Sequence, residues 1–71
     1  MRNKLMGLRK DANLSQNQLA RKLDVTVNTV GNWEKGLSLP SLENAHNMAK
    51  IFGVTTDDIF LALNTMNVVK N

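Results

Sequence analysis

A chain of 71 residues has room for one domain around a single small core, and a chain of that size buries only about 60% of its unfolded surface on folding. It contains no cysteine, and its longest apolar run, Ile59 to Leu63, spans five residues. Disulfides, thiolate metal sites, a membrane span and a signal-peptide core are thereby excluded, and a reducing cytoplasm is the expected location. The net charge of +3 is unevenly spread, with seven bases against three acids in residues 1–36 and two against three in residues 37–71. The basic half is the one a polyanion would meet, although a surplus of this size also serves solubility alone.

The first helix is expected from about Asn3 to Asp11, with Leu5 and Leu8 on one face and bases on the other. Gly7 in its middle costs about 1 kcal/mol against alanine, and the sequence offers no reason for it. A second helix is signalled at Ser15, which with Gln18 forms a capping box, while Leu14 and Leu19 occupy the positions of a hydrophobic staple. Leu19, Ala20 and Leu23 make its apolar stripe. Only Asp24 and Val25 then separate it from Thr26, a cap for a third helix over about Val27 to Lys35, with Val25 and Val30 as the next staple and Gly36 as a left-handed stop. So short a link makes the two helices cross steeply and in contact, and the small Ala20 suits their close approach.

On a wheel of about 100° per residue, Val30 and Trp33 point inward, and Asn28, Gly31, Asn32 and Lys35 gather on the opposite face. That face carries no aliphatic side chain and no acid. Asparagine can bond adenine N6 and N7 bidentately, threonine can bond several base edges, and a lysine at a helix end can meet phosphate. Thr26 and Thr29 are therefore candidates beside Asn28 and Asn32, and Val27, on the flank, could pack on a thymine methyl. Gln16 and Asn17, with the free amides of the second helix's first turn, are candidates for phosphate contact, as is Lys35. Taken alone, the same face is also that of an ordinary solvated helix.

Leu37 to Pro40 forms a loop, Ser41 caps a fourth helix, and Leu42, Ala45, Met48, Ala49 and Phe52 are expected to face the core before Gly53 ends it. Thr55 opens a fifth helix with Asp58 at N3 and Val54 and Ile59 as a staple. Asp57 and Asp58 stabilise that terminus electrostatically and do not read as a catalytic pair. His46 lacks a second ligand or a nucleophile at a recognisable spacing, and Gly31 and Gly36 have P-loop spacing but Leu37 stands where lysine is needed. No enzyme, metal, cofactor or small-molecule ligand is indicated.

These spaced features together resemble the lambda-repressor-like helix-turn-helix family, the Xre or Cro/repressor type. The resemblance runs through Gln16, Leu19-Ala20, Val25, Val30 and Trp33-Glu34-x-Gly36 to Pro40-Ser41-Leu42-Glu43, Ala49-Lys50-x-Phe52-Gly53-Val54 and Asp57-Asp58-Ile59-Phe60. It implies an all-α, compact five-helix domain whose third helix enters the major groove, and a buried salt bridge between Arg9 and Glu34. Two departures stand out: Asp24 replaces the glycine frequent in the turn, and Leu37 and Leu39 replace the bases frequent in the following loop. Those leucines are candidate contact surface for a second subunit.

The domain is expected to span residues 1–61, followed by a tail over residues 62–71. Leu63, Met66, Val68 and Val69 are more apolar groups than a disordered end carries, and dimerisation is their expected use. Two copies would also bind two half-sites and gain the selectivity that one module lacks. The expected function is a small transcriptional regulator, a homodimeric repressor on a palindromic double-stranded DNA operator. The alternative is a protein-interaction module such as an antitoxin or antirepressor-like adaptor.

Overall fold

The computed structural model describes residues 3–64, and every regular element among them is helical: α1 (Leu5–Asp11), α2 (Gln16–Leu23), α3 (Val27–Lys35), α4 (Leu42–Phe52) and α5 (Thr56–Asn64). The caps lie where the sequence places them. The Ser15 hydroxyl accepts from the Gln18 amide at 3.1 Å while the Gln18 side chain accepts from the Ser15 amide at 2.8 Å. Thr26 accepts from the Thr29 amide, Ser41 from the Asn44 amide, and Thr55 and Asp58 close a second reciprocal box. Gly36 and Gly53 take the left-handed conformation that ends α3 and α4. Asp24 adopts it as well, at φ 58°, so the turn between α2 and α3 keeps its shape without glycine.

The helices α2 and α3 pack on each other, α4 packs on α5, and α1 lies across α3, α4 and α5. Leu5, Leu19, Val30, Trp33, Ala45, Met48 and Ile59 meet in one core, with Leu8, Val25, Phe52 and Val54 packed around it. Ala20 is buried in the same core. Such burial supplies roughly 1.5–3 kcal/mol for each large aliphatic or aromatic side chain, and the short link between α2 and α3 leaves them no other way to shield their stripes.

Three expectations are corrected. The first helix begins at Leu5, because Asn3 is buried and bonded outside it. Leu42 is 70% exposed, not in the core; Pro40 and Ala45, at the N′ and N4 positions flanking the Ser41 cap, are buried instead, and Leu42 at the first helical position turns outward. Leu63 is 4% exposed and belongs to the core of the single chain. The helix α5 runs past residue 61 to Asn64, and Ile59, Ala62 and Leu63 repeat at i, i+3 and i+4 as its buried stripe. The packed unit therefore extends beyond residue 61, and Leu63 is not available to a dimer interface. Met66, Val68 and Val69 lie outside the described residues.

Candidate nucleic-acid interface

The third helix is set from behind by apolar and ionic contacts. Val30 and Trp33 anchor its inner face, and Glu34, one residue on, is fully buried. A carboxylate in that position is tolerable only if paired and hydrogen-bonded. Arg9 supplies the pairing: its Nε donates to Glu34 Oε2 at 2.6 Å, its Nη2 to Oε1 at 3.4 Å, and its Nη1 to the Leu14 carbonyl at 2.8 Å. One guanidinium thus ties α1, the loop before α2 and the end of α3 together, as the resemblance implied for Arg9 and Glu34.

The same carboxylate reaches the surface through Gln16, whose Nε2 donates to Glu34 Oε1 at 2.9 Å. Gln16 is half-buried at the first turn of α2, and a Cβ added at Gly31 would stand 3.9 Å from its Nε2. The fold therefore brings the start of α2 against the middle of α3. Gln16 keeps a carbonyl oxygen and one amide proton beyond its bond to Glu34, and its rotamer is held by a buried ion pair.

Outward from this brace lie the remaining candidates. Asn28 and Lys35 are exposed, Val27 is exposed at the first turn, and Gly31 and Asn32 are half-exposed along the same side. Asn17 is exposed beside Gln16. Thr26 and Thr29 are less free than the sequence suggests. Their hydroxyls share a bond at 2.8 Å while Thr26 also caps the helix, and Thr29 is half-buried. Lysine and arginine at positions 10, 21, 22 and 35 are all exposed, whereas Asn28, Gly31 and Asn32 on α3 are neutral.

Asn3 is the structural residue that sequence reasoning missed. Its amide donates to the Glu34 carbonyl at 3.0 Å, its Nδ2 to the Trp33 carbonyl at 2.9 Å, and its Oδ1 accepts from the Leu5 amide at 3.1 Å. It satisfies terminal carbonyls of α3 and a free amide of α1 at once, which the helix ends require. An asparagine two residues before the first core leucine was the available signal. Among the described residues no group of acids and histidines could hold a metal ion, and no helix is long and apolar enough to cross a membrane.

Comparison with known proteins accords with this geometry. A helix-turn-helix family profile matches residues 5–59. An uncharacterized HTH-type transcriptional regulator of Methanocaldococcus jannaschii is 48% identical over 61 residues, covering 86% of this chain and 92% of that protein. A further uncharacterized HTH-type transcriptional regulator, from Archaeoglobus fulgidus, is 34% identical over 61 residues, 86% of each chain. The HTH-type transcriptional activator BcrR of Enterococcus faecalis is 39% identical over 56 residues, which are 79% of this chain and 28% of that protein. No solved structure matches significantly. With five helices, two of them the braced α2–α3 pair, and a profile spanning most of its length, the chain belongs to the lambda-repressor-like helix-turn-helix family.

Proposed function

We propose that this chain is a DNA-binding transcriptional regulator that reads the major groove with α3. The observation that carries the reading is the outer face of that helix: amides, a glycine and a lysine set over a buried Arg9–Glu34 pair that Gln16 extends to the surface. Asn28 and Asn32 read base edges, Val27 packs on a thymine methyl, and Gln16, Asn17 and Lys35 hold phosphates on either side of the groove. Thr26, Thr29 and Gly31 border the contact, the glycine by letting the DNA approach. The related proteins are named as transcriptional regulators, one of them as an activator. Repression by occupying a promoter is the mode we assign here, because it needs only tight binding in the cytoplasm.

The functional form in this reading is a homodimer on a palindromic operator, its two third helices about 34 Å apart on one face of the duplex. Leu37 and Leu39, 71% and 66% exposed, lie between α3 and α4, and the exposed Leu42 opens α4. They offer apolar surface beside the reading helix, which makes them the preferred site of the twofold contact. The same leucines favour the second reading, a module that binds another protein. Titrating binding to mixed genomic DNA with salt separates the two. Binding governed by phosphates falls steeply, with a log–log slope of about −0.9 for each phosphate neutralised, whereas apolar association stays nearly flat.

A further inference from the structure

The last turn of α3 is closed by the chain that follows it and by Asn3. The Gly36 amide donates to the Trp33 carbonyl at 3.1 Å and the Leu37 amide to the Asn32 carbonyl at 2.9 Å. Asn3 adds its backbone amide to the Glu34 carbonyl and its Nδ2 to the Trp33 carbonyl, two consecutive carbonyls of the same turn. Its Oδ1 meanwhile accepts from the Leu5 amide at the start of α1, and the next residue, Lys4, donates its amide to the Ala62 carbonyl of α5 at 3.3 Å. Residues 3 and 4 thus fix the end of α3 to α1 and α5. Asparagine suits the position because one short amide group carries both a donor and an acceptor. At 5% exposure Asn3 is buried where its residue type is ordinarily exposed, so it does not itself touch a base.

We propose that Asn3 is a positioning residue for base reading: it holds the C-terminal half of α3, and with it Asn32, in register with the groove. This inference rests on the reading of α3 as the groove helix. The start of α3 is held separately, by the Thr26 cap and by the Val25 amide, which donates to the Ala20 carbonyl at 2.9 Å. A short helix fixed at one end and loosened at the other pivots about the fixed end. Asn28 is the second residue of α3, whereas Asn32 adjoins Trp33, so a pivot displaces Asn32 more. Hydrogen bonds from N–H to oxygen tolerate a spread of only about 0.5 Å, and a bidentate pair must meet that limit twice. Trp33 and the Arg9–Glu34 pair hold the same end through side chains, and Asn3 holds its backbone.

The test measures the affinity of the full chain for a duplex that it has itself selected from random DNA, by fluorescence anisotropy well below the melting temperature of each variant. Asn3→Ser keeps an acceptor for the Leu5 amide but cannot reach Trp33, whose carbonyl retains the Gly36 amide, so the variant should fold. In the wild-type chain Asn32→Ala and Asn28→Ala should each weaken binding about 5- to 150-fold. In the Asn3→Ser background the Asn32→Ala effect should shrink at least about fivefold, while the Asn28→Ala effect stays within about twofold of its wild-type size. Asn3→Asp, whose carboxylate keeps the acceptor for Leu5 but has no donor for Trp33, should give the same pattern. Thr55→Ala removes the α5 cap and lowers stability away from α3, and it should leave both effects unchanged. Shrinkage of both effects alike, or of neither, would overturn the proposal even where Asn3→Ser weakens binding overall. Silence of both asparagine substitutions in the wild-type chain would instead defeat the groove reading, and this inference with it.

Discussion

Replacing Arg9 by alanine should strongly destabilise the fold, and the magnitude follows from what the change leaves behind. Glu34 is 0% exposed and sits against Arg9 Nε at 2.6 Å. Without the guanidinium the carboxylate keeps the Gln16 amide but loses the Arg9 charge from a fully buried position. Removing one partner of a buried pair costs about 3–5 kcal/mol, most of it the penalty for the stranded charge. A domain of this length is expected to hold only about 4–11 kcal/mol in all, so the variant should melt at least about 12 °C lower. Urea unfolding at neutral pH, followed through the fluorescence of Trp33, the single tryptophan and 2% exposed, reads this directly. The pair replacement Arg9→Met with Glu34→Leu should be far milder than Arg9→Ala, because no charge is then left buried. That double variant would still lose DNA affinity, since Gln16 is no longer held. A loss below about 1 kcal/mol for Arg9→Ala, the level of an exposed ion pair, would refute the reasoning.

Further outcomes follow from the same geometry. Asn28→Ala and Asn32→Ala should each weaken cognate binding by about 1–3 kcal/mol and relax the preferred sequence; wild-type affinity in both folded variants would remove α3's outer face from the account. Lys35→Gln should weaken all duplexes alike and lower the salt slope by about one charge per subunit, measurable by fluorescence anisotropy at several salt concentrations. Gly31→Ala should stabilise the free protein by up to about 1 kcal/mol, because its Cβ would meet Gln16 Nε2 only at an ordinary 3.9 Å, while the added methyl weakens DNA binding. Stabilisation with undiminished affinity would mean that Gly31 does not face DNA. Leu37→Ser with Leu39→Ser should shift sedimentation toward the monomer and leave the melting of dilute protein nearly unchanged.

The helix ends and the salt bridge were legible because their signals are local or rest on fixed spacing. Ser15 with Gln18, Thr26, Ser41 and Thr55 with Asp58 each announce a helix start through side-chain chemistry that depends on three or four neighbouring residues. Gly36 and Gly53 mark stops for an equally local reason. Arg9 and Glu34 became legible through the family pattern, since nothing local relates residues so far apart in sequence. The misses are all matters of tertiary placement. Leu42 repeats correctly for a core position, yet Pro40 closes that end of the core. Leu63 looked surplus because the required length of α5 depends on how α1 and α4 meet it. Asn3 spends its polar groups on α3, a partner thirty residues away, which no window on the sequence displays. The outer face of α3 was readable by periodicity, whereas the Gln16 bond that braces it, and the mutual bond between Thr26 and Thr29, required coordinates.

The most direct test is to select a duplex from random DNA with the full chain and then compare its affinity with that of a scrambled duplex across a series of salt concentrations. The account predicts that one sequence, symmetric about its centre, emerges and is bound at least about a thousandfold more tightly than the scrambled one. Both affinities should fall steeply as salt rises, and the preference should collapse in the Asn28→Ala, Asn32→Ala double variant. Emergence of no sequence, or equal and salt-insensitive affinities for the two duplexes, would contradict it.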